Sequence, residues 1–370
     1  MATVVFAPDS FKGSATATEV AAALAEGWMS VRADDRVVPM PMADGGEGTL
    51  DAFEAAVPGS GRRPVSVTGP EGVDREASWL LLPGGIAVVE LAETSGIGLM
   101  PALAVFDAQT AGFGQAIAAA LDAGATRLLL AIGGSASTDG GAGMLSALGA
   151  RLLDATGSDI ASGNRGLAEL AVVDLTGLRP LPLGGARILS DVTNPLLGPD
   201  GAAAVFGPQK GASADDVPVL EAGLARFASA LREAGVEVDP RTPGAGAAGG
   251  TGFGLLAWGA ELAPGAAAAG EALGLPEALA EADVVVTGEG RYDSQSAAGK
   301  VPEYVALLAA AAGIPALLAA GSIAADPRGF AGAASLSELA GGSAAAIAEP
   351  LRWARAAGGA LARRFAPPTP

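Results

Sequence analysis

The first 60 residues use one local plan twice: a short apolar run, then a polar loop containing glycine, then a helix-forming stretch. Thr3–Pro8 is the first run, followed by Asp9-Ser-Phe-Lys-Gly13. Ser14-Ala-Thr-Ala-Thr-Glu19 then offers N-caps to an alanine-rich helix reaching about Trp28. Residues 36–42 form the second run, Asp44-Gly-Gly-Glu-Gly48 its loop and Thr49–Ala56 its helix. Strand–loop–helix units in series build an open α/β layer, and such layers place ligands beyond the carboxyl ends of their strands. Both loops fall there.

The alternation lapses near residue 62. Residues 63–68, 76–82 and 86–91 are short strand-like runs parted by Gly-Pro and Pro-Gly-Gly turns, which predicts a meander. A helix over 115–123, a strand over 127–132, a glycine-rich loop over 133–143, a helix over 144–148 and a strand over 187–191 follow. Beyond the glycine-rich stretch 244–254, α/β alternation resumes. It gives a helix over 271–281, a strand over 283–287, the helix Val301–Ala312, a strand over 315–320, a weak strand over 335–339 and a last helix over 343–365. A chain of 370 residues has room for about two domains. The pattern predicts a discontinuous outer α/β domain, 1–64 and 256–370, with a different α/β domain over 65–255 inserted in it and a ligand cleft between the two.

Composition narrows the chemistry. Lys and Arg total 22 against 40 Asp and Glu, a net charge of −18. That excludes the basic face needed by a nucleic-acid or anionic-membrane partner, but not a small anionic substrate held by a few local cations. With no Cys and no His, thiolate nucleophiles, Cys–zinc sites, Ser-His-Asp triads and His general bases are impossible. Carboxylates, Lys, Arg, hydroxyls, backbone N–H groups and an oxygen-ligated metal such as Mg²⁺ remain. The longest apolar stretch, 307–325, is broken by Gly313, Pro315 and Gly321, and the N-terminus lacks the pattern of a signal peptide. A cytoplasmic protein is expected; homo-oligomerisation is left open.

Three features single out candidate residues. Lysine is scarce: Lys12, Lys210 and Lys300 stand against 19 arginines, each in a polar loop containing glycine. A compact ammonium on a phosphate or carboxylate would explain their retention, and ordinary loop exposure is the alternative. Carboxylates follow several strands: Asp9, Asp44 with Glu47, Asp191, and Glu289 with Asp293. Converging on one crevice, they could hold Mg²⁺ or supply a base; singly, they would cap helices. Gly133-Gly-Ser-Ala-Ser-Thr-Asp139-Gly-Gly lies between a strand and a helix and could offer backbone N–H groups to phosphate, or merely make a tight turn. It is not G-x-x-x-x-G-K-[ST], and no G-x-G-x-x-G follows the first strand, which disfavours a Rossmann NAD domain.

Taken in order, Ala7-Pro-Asp-Ser-Phe-Lys-Gly13, Pro41-Met-Ala-Asp-Gly-Gly-Glu-Gly-Thr49, Gly133-Gly-Ser-Ala-Ser-Thr-Asp-Gly-Gly141, Asp191-Val-Thr-Asn-Pro-Leu196, Val205-Phe-Gly-Pro-Gln-Lys-Gly211, 244–250 and Thr287-Gly-Glu-Gly-Arg-Tyr-Asp293 resemble the bacterial glycerate kinase family. The resemblance runs from residue 2 to about 365. It departs from the family at Thr138, where Asn is common, and at a loose Thr110-Ala-Gly-Phe-Gly114, neither change removing a charge.

The resemblance implies phosphorylation of D-glycerate by ATP with Mg²⁺, with 2-phosphoglycerate the favoured product and 3-phosphoglycerate the other. It also implies a flavodoxin-like α/β domain and an inserted mixed α/β domain likened to a restriction-enzyme fold. Phosphoryl transfer needs positioning and charge neutralisation, not His or Cys. On this reading Asp191 is the first choice and Asp44 the second for the group that accepts the hydroxyl proton, with Lys12 neutralising phosphate or the glycerate carboxylate. Substrate and phosphate contacts fall to Asp9, Ser10, Gly45, Gly46 and Glu47, to Gly133, Gly134, Ser135 and Asp139, and to Asn194, Lys210 and Lys300. Glu289 and Asp293 are the candidates for Mg²⁺ or substrate contact. The alternatives are a kinase for another small hydroxy acid and a non-catalytic binder of sugar acids or nucleotides.

Overall fold

The computed structural model describes residues 1–11, 13–293 and 300–365. Among these residues the strands are β1 (Thr3–Pro8), β2 (Arg36–Pro39), β3 (Gly61–Thr68), β4 (Asp74–Leu82), β5 (Ile86–Glu90), β6 (Arg127–Ala131), β7 (Arg151–Leu153), β8 (Val172–Asp174), β9 (Ala186–Leu189), β10 (Glu261–Ala263), β11 (Val284–Tyr292), β12 (Ala316–Ile323) and β13 (Gly332–Ser335). They divide between two compact units. One comprises Met1–Asp44, Asp51–Pro58 and Pro264–Pro370, the other Gly45–Leu50 and Gly59–Ala263.

The first unit holds a five-stranded, wholly parallel sheet in the order β13-β12-β11-β1-β2. In chain order within the unit this is 2-1-3-4-5, the doubly wound order whose reversal falls between β1 and β11. Val4, Val5 and Phe6 of β1 and Val284, Val285 and Val286 of β11 are fully buried, because helices cover both faces of such a sheet. The helix Ala17–Met29 starts at a capping box: Thr16 Oγ1 accepts from Glu19 N while the Glu19 carboxylate accepts from Thr16 N. Its Trp28 packs between Phe6 and Phe365.

That helix lies against the helix Pro350–Arg364 with backbone nearly touching backbone. A Cβ on Gly358 would come within 2.1 Å of Leu24 O. Gly358→Val is therefore expected to force the two helices apart and to lose roughly 1–3 kcal/mol, the cost of overpacking a core, with equilibrium denaturation as the check.

The second unit holds a mixed six-stranded sheet, β10-β9-β6-β5-β4-β3. β10, β9, β6 and β5 run parallel, and β5, β4 and β3 form the expected antiparallel meander. β7 and β8 make a separate antiparallel pair. Phe113, Phe227 and Phe253 lie at the centre of this unit's core. No helix among the described residues is long and apolar enough to cross a membrane.

The structure corrects several expectations. The first boundary lies before residue 64, because β3 already pairs at Gly61 with Leu81 of β4. The second lies after residue 255, because β10 pairs with β9 through Ala263. The strand expected over 283–287 runs on to Tyr292: pairing with β12 continues through Glu289↔Ala320 and Tyr292↔Ile323, so Glu289 lies inside a strand. The weak strand expected over 335–339 is the end of β13 followed by the helix Leu336–Ala340, with the Ser335 hydroxyl capping it. The helix expected over 343–365 is two, Ser343–Ala348 and Pro350–Arg364, since Pro350 cannot continue the first. That over 271–281 is likewise two, Gly265–Leu273 and Leu275–Ala280, parted at Gly274 with φ +77°.

Candidate active site

In the first unit, the carboxyl ends of the parallel strands open onto a cavity of about 410 Å³. Six predicted site residues line it: Asp9, Ser10, Asp44, Glu289, Asp293 and Lys300. Asp9 directly follows β1, where its N–H donates to Gly288 O at 2.8 Å and its carboxylate accepts from Ser10 N at 2.7 Å. It is 6% exposed, as is Glu289 on the adjacent β11. Lys300 Nζ lies 4.0 Å from Glu289 Oε2, at the N-cap of the helix Val301–Ala312. Asp293, one residue past β11, pairs with Arg291 at 3.2 Å. Lys12 lies outside the described residues. Arg291, Ser322 and Ser337 also line the cavity and were not predicted. The position of Ser322 near the end of an apolar strand, after Gly321, was the available signal for it.

In the second unit, Gly45, Gly46 and Gly133 meet because none carries a side chain. Gly133 N donates to Gly45 O at 2.9 Å, and a Cβ on Gly133 would sit 2.5 Å from Gly46 Cα. Gly45 has φ +89°, and a Cβ there would lie 2.2 Å from Leu189 O at the end of β9. Glu47 is exposed. The carboxylate at the start of the helix Thr49–Ala56 is that of Glu90, which ends β5 and accepts from Gly48 N at 3.0 Å and Leu50 N at 2.9 Å. An anion at a helix N-terminus is favourable, and sequence reading missed this one.

The loop after β6 closes on a carboxylate of its own. Asp139 is fully buried and accepts from Thr110 N (3.0 Å), Thr110 Oγ1 (2.7 Å), Gly141 N (3.1 Å) and Gly143 N (3.2 Å). Gly140 N donates to Gly249 O, and Ala136 N to Ser95 O. Of the N–H groups over 133–141 expected to receive an outside anion, those of Gly133, Ala136, Gly140 and Gly141 are thus committed within the chain.

Lys210 is drawn into the same cluster. It is 2% exposed, and its Nζ donates to Ser135 Oγ at 2.8 Å and to Ser137 O. Burial pushes its pKa down to about 7, against a smaller upward pull from Asp139. The unfolded chain keeps this proton up to about pH 10.5, so between about pH 7 and 10.5 the unfolded state binds more protons. Stability contributed through this group therefore rises with pH across that window and is flat below it. The unfolding free energy of the wild type relative to Lys210→Met is expected to climb from pH 7 to 10; a flat difference would show that the ammonium keeps its ordinary affinity for the proton.

β9 ends at Leu189, so Asp191 lies two residues beyond the strand it was expected to terminate. It is half-buried in that loop. Asn194 shapes the same loop, its Nδ2 donating to Asp200 O at 2.8 Å and its carbonyl accepting from Gly246 N at 2.9 Å.

Residues 4–366 match the model of the glycerate kinase family. Glycerate 2-kinase of Escherichia coli (strain K12) is 45% identical over 329 residues, covering 87% of this chain and 86% of that relative. Glycerate kinase of Bacillus subtilis (strain 168) is 44% identical over 331 residues, covering 87% and 86%. A crystal structure from Salmonella typhimurium LT2, provisionally named as that of a glycerate kinase 2, superposes with a TM-score of 0.86 at 40% identity, covering 98% of both chains.

Proposed function

This chain belongs to the glycerate kinase family and phosphorylates glycerate at the expense of ATP, and on that premise we propose that its substrate is D-glycerate and its product 2-phospho-D-glycerate. The observation that supports the site is the convergence of Asp9, Ser10, Asp44, Glu289, Asp293 and Lys300 on one cavity at strand ends. The name of the Escherichia coli relative, glycerate 2-kinase, favours the 2-position over the 3-position.

In the transfer, a glycerate hydroxyl oxygen forms a bond to the γ-phosphorus as the bond to the ADP oxygen breaks. The hydroxyl proton passes to a carboxylate, for which Asp191 is our first candidate and Asp44 our second. Proton transfer is late in a loose transition state, so a carboxylate of ordinary affinity suffices. Lys300 neutralises charge on the phosphoryl oxygens, with Lys12 in the same role.

Mg²⁺ prefers one or two carboxylates together with substrate phosphates and waters. Glu289 and Asp293 fit that mode, since both carboxylates line the cavity. Mg²⁺ bound there would offset the negative charge of the β- and γ-phosphates. The test is ADP release in a coupled assay with D-glycerate, L-glycerate and other small hydroxy acids as acceptors. Turnover with D-glycerate in clear excess over the others is expected; preference for a different acid would overturn the substrate assignment.

A further inference from the structure

The cavity of the first unit is laid out unevenly along its sheet. Leu336 directly follows β13, and Ala346, Ile347 and Pro350 come from the two helices after it. Next come hydroxyls, Ser322 on β12 and Ser337, whose Oγ donates to Gly321 O at 2.7 Å. Then come the buried carboxylates of Glu289 on β11 and Asp9 after β1, and last Asp44 beyond β2. Phe11 adds an apolar ring from the β1 loop.

From β13 to β1 is three strand spacings, about 14 Å. A three-carbon acid has no apolar part to set against the β13 end, and it is short for such a span. A nucleoside phosphate has a flat base, then ribose hydroxyls, then charge, in the same sequence. The cavity of about 410 Å³ lies within the range of roughly 300–1,000 Å³ that encloses larger organic ligands. It also lies beyond the strand ends at a β1/β11 order reversal, the place where sheets of this order bind mononucleotides.

We infer that this cavity is the nucleoside site of the chain: the adenine of ATP packs on the apolar wall of Leu336, Ala346, Ile347 and Pro350, and the ribose meets Ser322 and Ser337. The inference rests on the kinase reading above and adds which substrate the first unit receives.

Ile347 is 64% exposed at this wall, so Ile347→Glu introduces a charge without disturbing the core. Leu307→Glu, also at a 64% exposed position but not lining the cavity, is the control. The probes are adenosine, which has base and ribose but no phosphate, titrated calorimetrically, and the KM values for ATP and D-glycerate. Ile347→Glu is expected to weaken adenosine binding and raise the KM for ATP by at least about 10-fold, with the KM for D-glycerate within about 2-fold and Leu307→Glu like wild type. A rise in the D-glycerate KM with ATP unaffected would make this the acid's site and overturn the inference, leaving the kinase reading intact. So would no change in either constant. If the wild type fails to turn over D-glycerate, the substrate reading falls, and the adenosine titration alone decides the inference by the same 10-fold criterion.

Discussion

Asp139→Ala is expected to lose about 3–5 kcal/mol of stability, the scale seen when one partner is removed from a buried charged cluster. The carboxylate accepts four hydrogen bonds at full burial. Its removal strands the N–H groups of Thr110, Gly141 and Gly143 away from water, each at a cost of its own. It also frees the Thr110 hydroxyl, which accepts from Met144 N at the start of the next helix. Asp139→Asn keeps the shape, but either orientation turns its amide N–H₂ toward a backbone N–H, so it too should be destabilised, though less. Urea denaturation of both variants checks this; a loss below about 1 kcal/mol for Ala would mean that water replaces the carboxylate.

Asp191→Asn carries the largest expected effect on turnover. If Asp191 accepts the hydroxyl proton, the variant should lose at least about 10²-fold in kcat, the low end of general-base effects, with its unfolding midpoint little changed. Asp44→Asn, measured beside it, separates the two candidates. A variant of Asp191 that melts early yet keeps its rate per folded molecule would make that residue a loop-shaping one and move the role to Asp44.

Much of the first unit was legible in the sequence because a parallel sheet covered on both faces forces unbroken apolar runs. Val4–Val5–Phe6 and Val284–Val285–Val286 are such runs, and the residues following them line the cavity. The length of β11 was not legible, because Gly288-Glu-Gly290 looks like a loop until the pairing with β12 carries the strand through it. Residues 336–339 were read as strand because the Ser335 hydroxyl that caps their helix acts only once the chain has turned.

Other readings failed for want of partners distant in the chain. Glu90 looks like the polar end of a strand; its role depends on two N–H groups 40 and 42 residues earlier. Lys210 looks like a loop lysine, and only the packing of Ser135, Ser137 and Gly249 around it encloses its ammonium. Glycine-rich loops advertise close approach but not what approaches: at Gly133 it is Gly46, and inside the 133–143 loop it is the chain's own Asp139. The motifs that carry the family membership were legible in full, and that membership sets aside a non-catalytic binder.

Phosphorus NMR of the product formed from D-glycerate and ATP tests the central claim most directly. Coupling of the new phosphorus resonance to a single methine proton, that on C2, is the result expected of 2-phospho-D-glycerate. Coupling to the methylene protons on C3 would contradict it, and the absence of any phosphoglycerate resonance while ATP is consumed would contradict the assignment of glycerate itself.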